Sequence, residues 1–391
     1  MSDQRVRRRH VLRMSGAVLA AGGVAGCLGD TSGDGGDTEG SGGTEGGSGT
    51  EGGSGTEGNE SSTEGDGGGG GGDTPTLRYS YVGGSELIDN VAMFHQSEFM
   101  RENILQNVGD AYEMELKTAQ GTPVVVSTLA AQEADAGILA YSSLANAAIN
   151  DTIPGGGRVI APFKWQTDRT PDGVYALADS AIETGQDLKG QSIAVPAIGS
   201  ASDLGARAAL VSIGLDPQED VELREISFGA MPAALEEGRV QAAGMIQPFI
   251  YMMGDKIERL FPPTAGVGQH LVVFATVRSR FADQNPEAVR GLLNDLWLGL
   301  QWWTADENRE RAVDIATNVI GLDESTMDAL VQTDNGYYQG NNGLTIGTPC
   351  LQNPFDMMND IGFIDQELSA DEFIDNSFLP KEADEISVEC G

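Results

Sequence analysis

The sequence predicts an α/β protein with mostly parallel sheets. Two observations carry this. Short apolar or alternating runs take turns with helical patterns through most of the chain after residue 75, the order expected of βα units. Several of these runs also end in Gly or Ser and restart at once as helix, as in Ile193-Ala194-Val195-Pro196-Ala197-Ile198-Gly199-Ser200. A length of 391 residues allows about two domains at roughly 150 residues each.

The elements follow in order. Leu77–Val82 alternates as a strand and closes on Gly83-Gly84-Ser85. Residues 87–108 read as one helix with Val91, Phe94, Phe99 and Leu105 on its apolar positions. Tyr112–Ala119 alternates again. Thr122-Pro123 opens a helix to Ala131, Ala136–Leu139 is a short buried strand, and Ser142-Ser143 starts another helix. Val159–Phe163 and Val174–Leu177 are strands. The rhythm repeats with strand Ser192–Pro196, a helix over 203–213 ending at Gly214, strand Val221–Ile226, helix Met231–Glu237 and strand Ala242–Met245. Gln247-Pro248 introduces a helix, Leu271–Val277 is a strand, and Asn285-Pro286-Glu287 starts a long helix with Asn as its expected cap.

Charge bounds the partners. The chain carries 59 acidic against 23 basic residues, a net charge of −36, and only five of the bases are Lys. Nucleic-acid binding depends on basic contacts to phosphates and is not expected here. Such a surface repels itself in dilute buffer. In molar salt the screening length falls to about 3 Å, so the composition reads as halophilic.

The first 27 residues read as a targeting segment, set aside from the fold. Arg8-Arg9-His10-Val11-Leu12-Arg13 resembles a twin-arginine export signal, and Val24-Ala25-Gly26-Cys27 resembles a lipoprotein cleavage box. The implied mature chain begins at Cys27 with lipid on its sulfur, held at the extracellular face of the membrane by that anchor alone. The other reading is an ordinary signal with an incidental Cys. Residues 28–74 form a Gly/Ser/Thr/Glu linker with 11 acids and no base, expected to be disordered. A Gly-rich coil of about 47 residues spans roughly 35–40 Å, enough to hold a domain clear of a membrane. Cys350 and Cys390 remain, and either pair or stay free thiols. No spacing suggests a metal site, and the three His are scattered.

The stretch from Ile193 to Leu210 carries the sharpest local signal. A strand that stops on Gly199, Ser200 and Ser202 and becomes an alanine-rich helix exposes backbone N–H groups at the positive end of a helix dipole. That is a cradle for an anion or polar ligand which needs no Lys or Arg. Ser200 or Ser202 could instead be a plain helix cap. No G-K-[ST] follows, so the stretch is not a P-loop, and no G-x-S-x-G makes it a nucleophile elbow.

In context, Asp187-Leu188-Lys189-Gly190-Gln191-Ser192-Ile193-Ala194-Val195, then Gly199-Ser200, then Ile213-Gly214-Leu215 resembles solute-binding proteins of ABC importers. The similar family handles nitrate, sulfonates, taurine and thiamine precursors. The likeness continues through Ala233–Ala242, Gln247-Pro248-Phe249 and Phe281–Trp303. It is clear over about 185–305 and weaker over 75–180, and with the export signals it suggests the haloarchaeal lipoprotein type. The resemblance implies the type II periplasmic-binding-protein fold, two lobes joined by two crossover strands near 174–182 and 270–277. Each lobe would hold a mixed, mostly parallel sheet flanked by helices. Lobe I would comprise 75–178 and 275–391, and lobe II 179–274.

Candidate ligand contacts sit at strand ends facing the cleft. These are Gly83, Gly84 and Ser85, then Ser142 and Ser143, then Gly199, Ser200 and Ser202, and Gln247. Trp165 and Phe228 could stack on a flat ligand. Each of these residues could equally be a turn, a cap or packing. Trp297, Trp302 and Trp303 read as core. The expected function is non-catalytic capture of a small anionic or heterocyclic nutrient, by a monomer that hands it to permease and ATPase subunits. No cofactor is expected. The alternatives are an enzyme like the thiamine-pyrimidine synthases, for which only His95 and His270 offer support, and a ligand-sensing surface protein.

Overall fold

The computed structural model describes residues 74–167, 170–332, 343–383 and 390. The twin-arginine motif, Cys27 and all but the last residue of the linker lie outside the described residues. The described residues fall within one compact unit.

The first half of the described chain begins with β1 (Thr76–Val82), α1 (Asn90–Gln96), α2 (Glu98–Asn103) and β2 (Glu113–Ala119). It continues through α3 (Thr122–Ala130), β3 (Ala136–Ala140), α4 (Tyr141–Ile149) and β4 (Gly157–Gln166). The single helix expected over 87–108 breaks at Ser97, whose extended backbone and side chain cap α2 through the Met100 N–H. Ser competes for backbone hydrogen bonds inside helices and favours their starts. Next come β5 (Gly173–Leu177), β6 (Ser192–Val195), α5 (Ala201–Ser212), β7 (Glu222–Glu225) and α6 (Met231–Glu236). They are followed by β8 (Ala242–Met245), α7 (Phe249–Met253), β9 (Ile257–Phe261) and β10 (His270–Arg278). The remaining helices are α8 (Ser279–Gln284), α9 (Pro286–Trp303), α10 (Arg309–Ile320), α11 (Glu324–Leu330) and α12 (Thr348–Asp360). Helix α9 starts where expected, but Asn285 does not cap it with its side chain. None of the described helices is long and apolar enough to cross a membrane.

The strands form two mixed sheets of one design, β2-β1-β3-β10-β4 and β7-β6-β8-β5-β9. In each, the first three strands run parallel and the fourth runs antiparallel to both of its neighbours. The fourth strand is always the one that arrives from the other half: β5 follows β4, and β10 follows β9. The chain therefore crosses between sheets at 167–172 and 262–269. The stretches expected as crossovers, 174–182 and 270–277, are instead largely interior strands, because β5 pairs with β8 and β9 and β10 pairs with β3 and β4. The boundaries between halves accordingly fall before Gly173 and before His270, earlier than the expected limits at 178 and 274. Strand β9 was not foreseen: it is an edge strand with exposed Glu258 and Arg259 in its middle, and edge strands carry charge to discourage further pairing.

Contacts hold the halves together beside the crossings. Leu204 and Ala208 on α5 belong to the interior of the first half. Gly266, at φ +76°, lies against the same helix, where a Cβ would come 2.5 Å from the Ala208 carbonyl oxygen. The Tyr141 hydroxyl donates to the Ala201 carbonyl at 3.4 Å. In the first half, buried Asp295 on α9 accepts from the N–H groups of Gln106, Asn107 and Val108 and from the Tyr112 hydroxyl. That carboxylate fixes the loop before β2, since buried acceptors with several partners rigidify what they join. Cys350 on α12 is bonded to Cys390.

Candidate functional site

A cavity of about 420 Å³ opens between the two sheets, in the range that takes a small ligand. Its walls come from the carboxyl ends of parallel strands and the loops after them, where α/β sheets collect ligands. From the first half come Val82, Gly83, Gly84, Ser85, Thr122 and Pro123; from the second come Ala197, Ser200, Ser202, Phe228, Ile246 and Phe249. Most of this lining is apolar.

Among the expected contacts, Gly83, Gly84, Ser85, Ser200, Ser202 and Phe228 come together on the cavity wall. The Gly83-Gly84-Ser85 turn reaches it with Gly84 at φ +83°. The Ser85 hydroxyl is engaged within the turn, donating to the Val82 carbonyl at 2.6 Å. Phe228 sits on a single helical turn before α6. Ser142, Ser143, Trp165, Gly199 and Gln247 lie outside the lining. Ser142 is buried, and Ser143 hydrogen-bonds Thr122 at 2.8 Å behind the wall. Trp165 alternates away from Lys164 and Gln166 along β4 and packs in the first core. The buried Gln247 side chain, two residues before α7, accepts from the Tyr251 N–H at 3.1 Å.

The expected anion cradle before α5 differs most from its sequence reading. Ser200 caps the helix, accepting from the Asp203 N–H at 3.2 Å. The Gly199 N–H donates to Asp203 Oδ2 at 2.8 Å, the Ile198 N–H to Glu225 Oε1 at 2.8 Å, and the Ser200 N–H to the Ala197 carbonyl at 3.2 Å. Asp203 is fully buried and paired with Arg207 at 2.8 Å. Burial raises its carboxyl above the ordinary value, and the Gly199 N–H and Arg207 oppose that rise. The positive end of α5 is thus already answered by an acid in its own first turn. Ser202 alone of this group lines the cavity with its hydroxyl outside any hydrogen bond among the described residues.

Sequence reasoning missed the polar seam where the chain crosses between sheets. Lys164 and Gln166 at the end of β4, Asp172 before β5 and His270 at the start of β10 all line the cavity. All four are more than nine-tenths buried. Lys164 pairs with Asp172 Oδ2, and Gln166 Nε2 donates to the same oxygen at 2.9 Å. His270 stands opposite Gln166 in the β10–β4 ladder and makes an edge contact with Tyr141 at 5.6 Å. Burial lowers the imidazole to about 4, so it is neutral near pH 7. Its Nδ1 lies 2.9 Å from the Gly268 carbonyl, which only accepts, so Nδ1 carries the proton and Nε2 is an acceptor. A signal for this seam was present: Lys164 is one of five Lys in the chain, and it and Gln166 follow directly on the apolar run Val159–Phe163.

His95, the other histidine weighed for chemistry, is outside this lining, buried against Tyr112 and the Val91 carbonyl. Among the described residues no cluster of His, Cys, Asp or Glu could hold a metal ion.

Solved structures share this fold at low identity. The alkanesulfonate-binding protein SsuA of Xanthomonas axonopodis pv. citri, bound to MOPS, aligns with a TM-score of 0.56 at 17% identity, covering 76% of this chain and 97% of that one. The ligand-binding component of an ABC-type import system from Staphylococcus aureus aligns at 0.60 and 15%, covering 79% and 99%. The nitrate-binding protein NrtA of Synechocystis PCC 6803 aligns at 0.51 and 13%, covering 68% and 73%. No protein of curated function matches the chain in sequence. Residues 81–317, more than half of the chain, match the model of the NMT1-like family, and the chain belongs to that family.

Proposed function

We propose that the protein is the solute-binding component of an ABC importer, capturing a small ligand between its two halves. The observation that carries this is the cavity between two sheets of one strand order, walled by the turn after β1 on one side and the start of α5 on the other. A ligand there touches both halves only when they are closed, so binding favours closure, and a permease can read that shape. The likeness to sulfonate- and nitrate-binding proteins of import systems supports the reading. Gly83, Gly84, Ser85, Ser202 and Phe228 are the contacts it assigns from the sequence. The role is one of capture and delivery, without catalysis.

Calorimetry and thermal-shift screening in molar salt test this. A panel of small anions, amines, amides and heterocycles is expected to contain members that raise the unfolding temperature. A uniformly inert panel contradicts the reading.

The finer proposals concern location. The protein is exported by the twin-arginine route, lipidated on Cys27 and tethered as a monomer by the Gly-rich linker, in a halophile. Cys27→Ser is expected to release the protein from the membrane fraction into the medium. Persistent membrane association of that variant contradicts the anchor.

A further inference from the structure

The cavity offers a ligand a surplus of acceptors and few spare donors. On the donor side, the backbone N–H groups of Ile198, Gly199 and Ser200 are taken by Glu225, Asp203 and the Ala197 carbonyl. The lysine on the wall, Lys164, is paired with Asp172. On the acceptor side, Asp172 Oδ1 and Gln166 Oε1 are buried without a hydrogen-bond partner. His270 Nε2 is a third acceptor, fixed by the bond from Nδ1 to Gly268. These three residues share one end of the cavity: Gln166 faces His270 in the ladder and contacts Asp172 directly.

A buried acceptor left unpaired costs about 1–3 kcal/mol, so grouped unpaired acceptors on a cavity wall mark where a partner belongs. An anion there would meet the Asp172 carboxylate and supply no proton. A molecule with N–H groups would satisfy two or three acceptors at once, while its body lay against Phe228, Phe249, Ile246 and Val82.

Resting on the binding reading above, we infer that the solute is a small, flat, uncharged or cationic nitrogen compound whose N–H groups bind Gln166, Asp172 and His270, and that it is not an inorganic anion or a sulfonate. Gln166, Asp172 and His270 are then the residues that set specificity. Lys164 is a positioning residue, which holds Asp172 through its other oxygen.

The test is a thermal-shift and calorimetric comparison of matched probes on the full-length protein in molar salt. The pairs are 2-aminopyridine with pyridine and benzamide with N,N-dimethylbenzamide, beside nitrate and ethanesulfonate. The donor-bearing member of each pair is expected to bind at least about tenfold more tightly than its donor-free partner, with neither anion binding. Gln166→Met, which keeps the length of the side chain and removes its acceptor, is expected to erase that preference. The unliganded unfolding temperature of the variant shows whether it is folded. His270→Gln gives a second variant with the same expected direction.

Tight binding of nitrate or ethanesulfonate, or equal binding within each pair, overturns the inference and leaves capture between the halves standing. No binding by any probe overturns the inference and the capture reading together.

Discussion

Around the first sheet the apolar side chains form one continuous interior, in which Trp303 packs against Phe94 at 5.6 Å and Trp302 against Phe99 at 5.2 Å. Around the second sheet they divide into two thin layers. Val174, Ile193, Leu210 and Phe261 lie in one, and Tyr175, Ala194, Met231 and Met245 in the other. The strand alternation makes this division, since Val174 and Tyr175, or Ile193 and Ala194, point to opposite faces. Yet the two sheets share one strand order. Helix α5 serves both interiors, with Ala206, Ala209 and Leu210 on the second and Leu204 and Ala208 on the first. The comparison teaches that equal topology does not mean equal independence. The second half leans on the first through the helix whose start lines the cavity.

Trp303→Ala gives the largest expected effect, a loss of about 3–5 kcal/mol from the first interior. If the second half leans on the first, calorimetry in molar salt will show one transition moving to lower temperature. Two separated transitions would break the comparison. The disulfide comes next. It joins residues 40 apart on the first half, and chain-entropy reasoning assigns it about 4 kcal/mol as an upper figure. Cys350→Ser should therefore lower the unfolding temperature of the first half while leaving solute affinity within about twofold, because neither cysteine lines the cavity.

The pH dependence sharpens the contrast further, because the first half buries an aspartate and two histidines whose shifts act between about pH 4 and pH 7. Burial raises Asp89 to about 7, so the unfolded chain gives up this proton first. Its contribution is full below the ordinary carboxylate value and is lost as pH rises through about 7. Burial lowers His95 and His270 to about 4, so the unfolded chain takes up their protons first. Their contributions are full above about 6.5 and are lost as pH falls through about 4. Asp89 caps α1 through the Ala92 N–H, a role Asn can also fill. Asp89→Asn is expected to gain stability over the parent protein progressively from pH 4 to pH 7 and to hold that gain above it. A flat difference across this range contradicts the assignment. The smallest effect is expected in the second half, where Ser200→Ala removes the cap of α5 at a cost of about 1 kcal/mol.

Much of this architecture was legible in the sequence. Alternation in Leu77–Val82 and the apolar run at Ile193 specified strands, and Thr122-Pro123 and Pro286 marked helix starts within a residue of where they fall. These are local signals, set by side-chain period and by capping chemistry. What failed was not local. Val174–Leu177 and Leu271–Val277 were recognised as strands, but which sheet each joins is decided by pairing across about 70 to 140 residues, between β5 and β8 and between β10 and β3. The site shows the same limit. Gly83, Ser202 and Phe228 reached the cavity because strand ends and the turns after them point there. The amides at 198–200 could not be judged from sequence, because Glu225, which occupies one of them, comes from a neighbouring strand. Gln166 and His270 become a pair only through the β4–β10 ladder.

The most direct test of closure between the halves is a distance measured across the cavity. Spin labels on Val124→Cys in α3 and Met252→Cys in α7, both exposed and on the helices that bring Pro123 and Phe249 to the cavity wall, would report the separation of the two halves in a Cys27→Ser background. A probe that binds by calorimetry, such as 2-aminopyridine, is expected to collapse a broad distance distribution to its short, narrow end. An unchanged distribution at saturating probe would contradict the account.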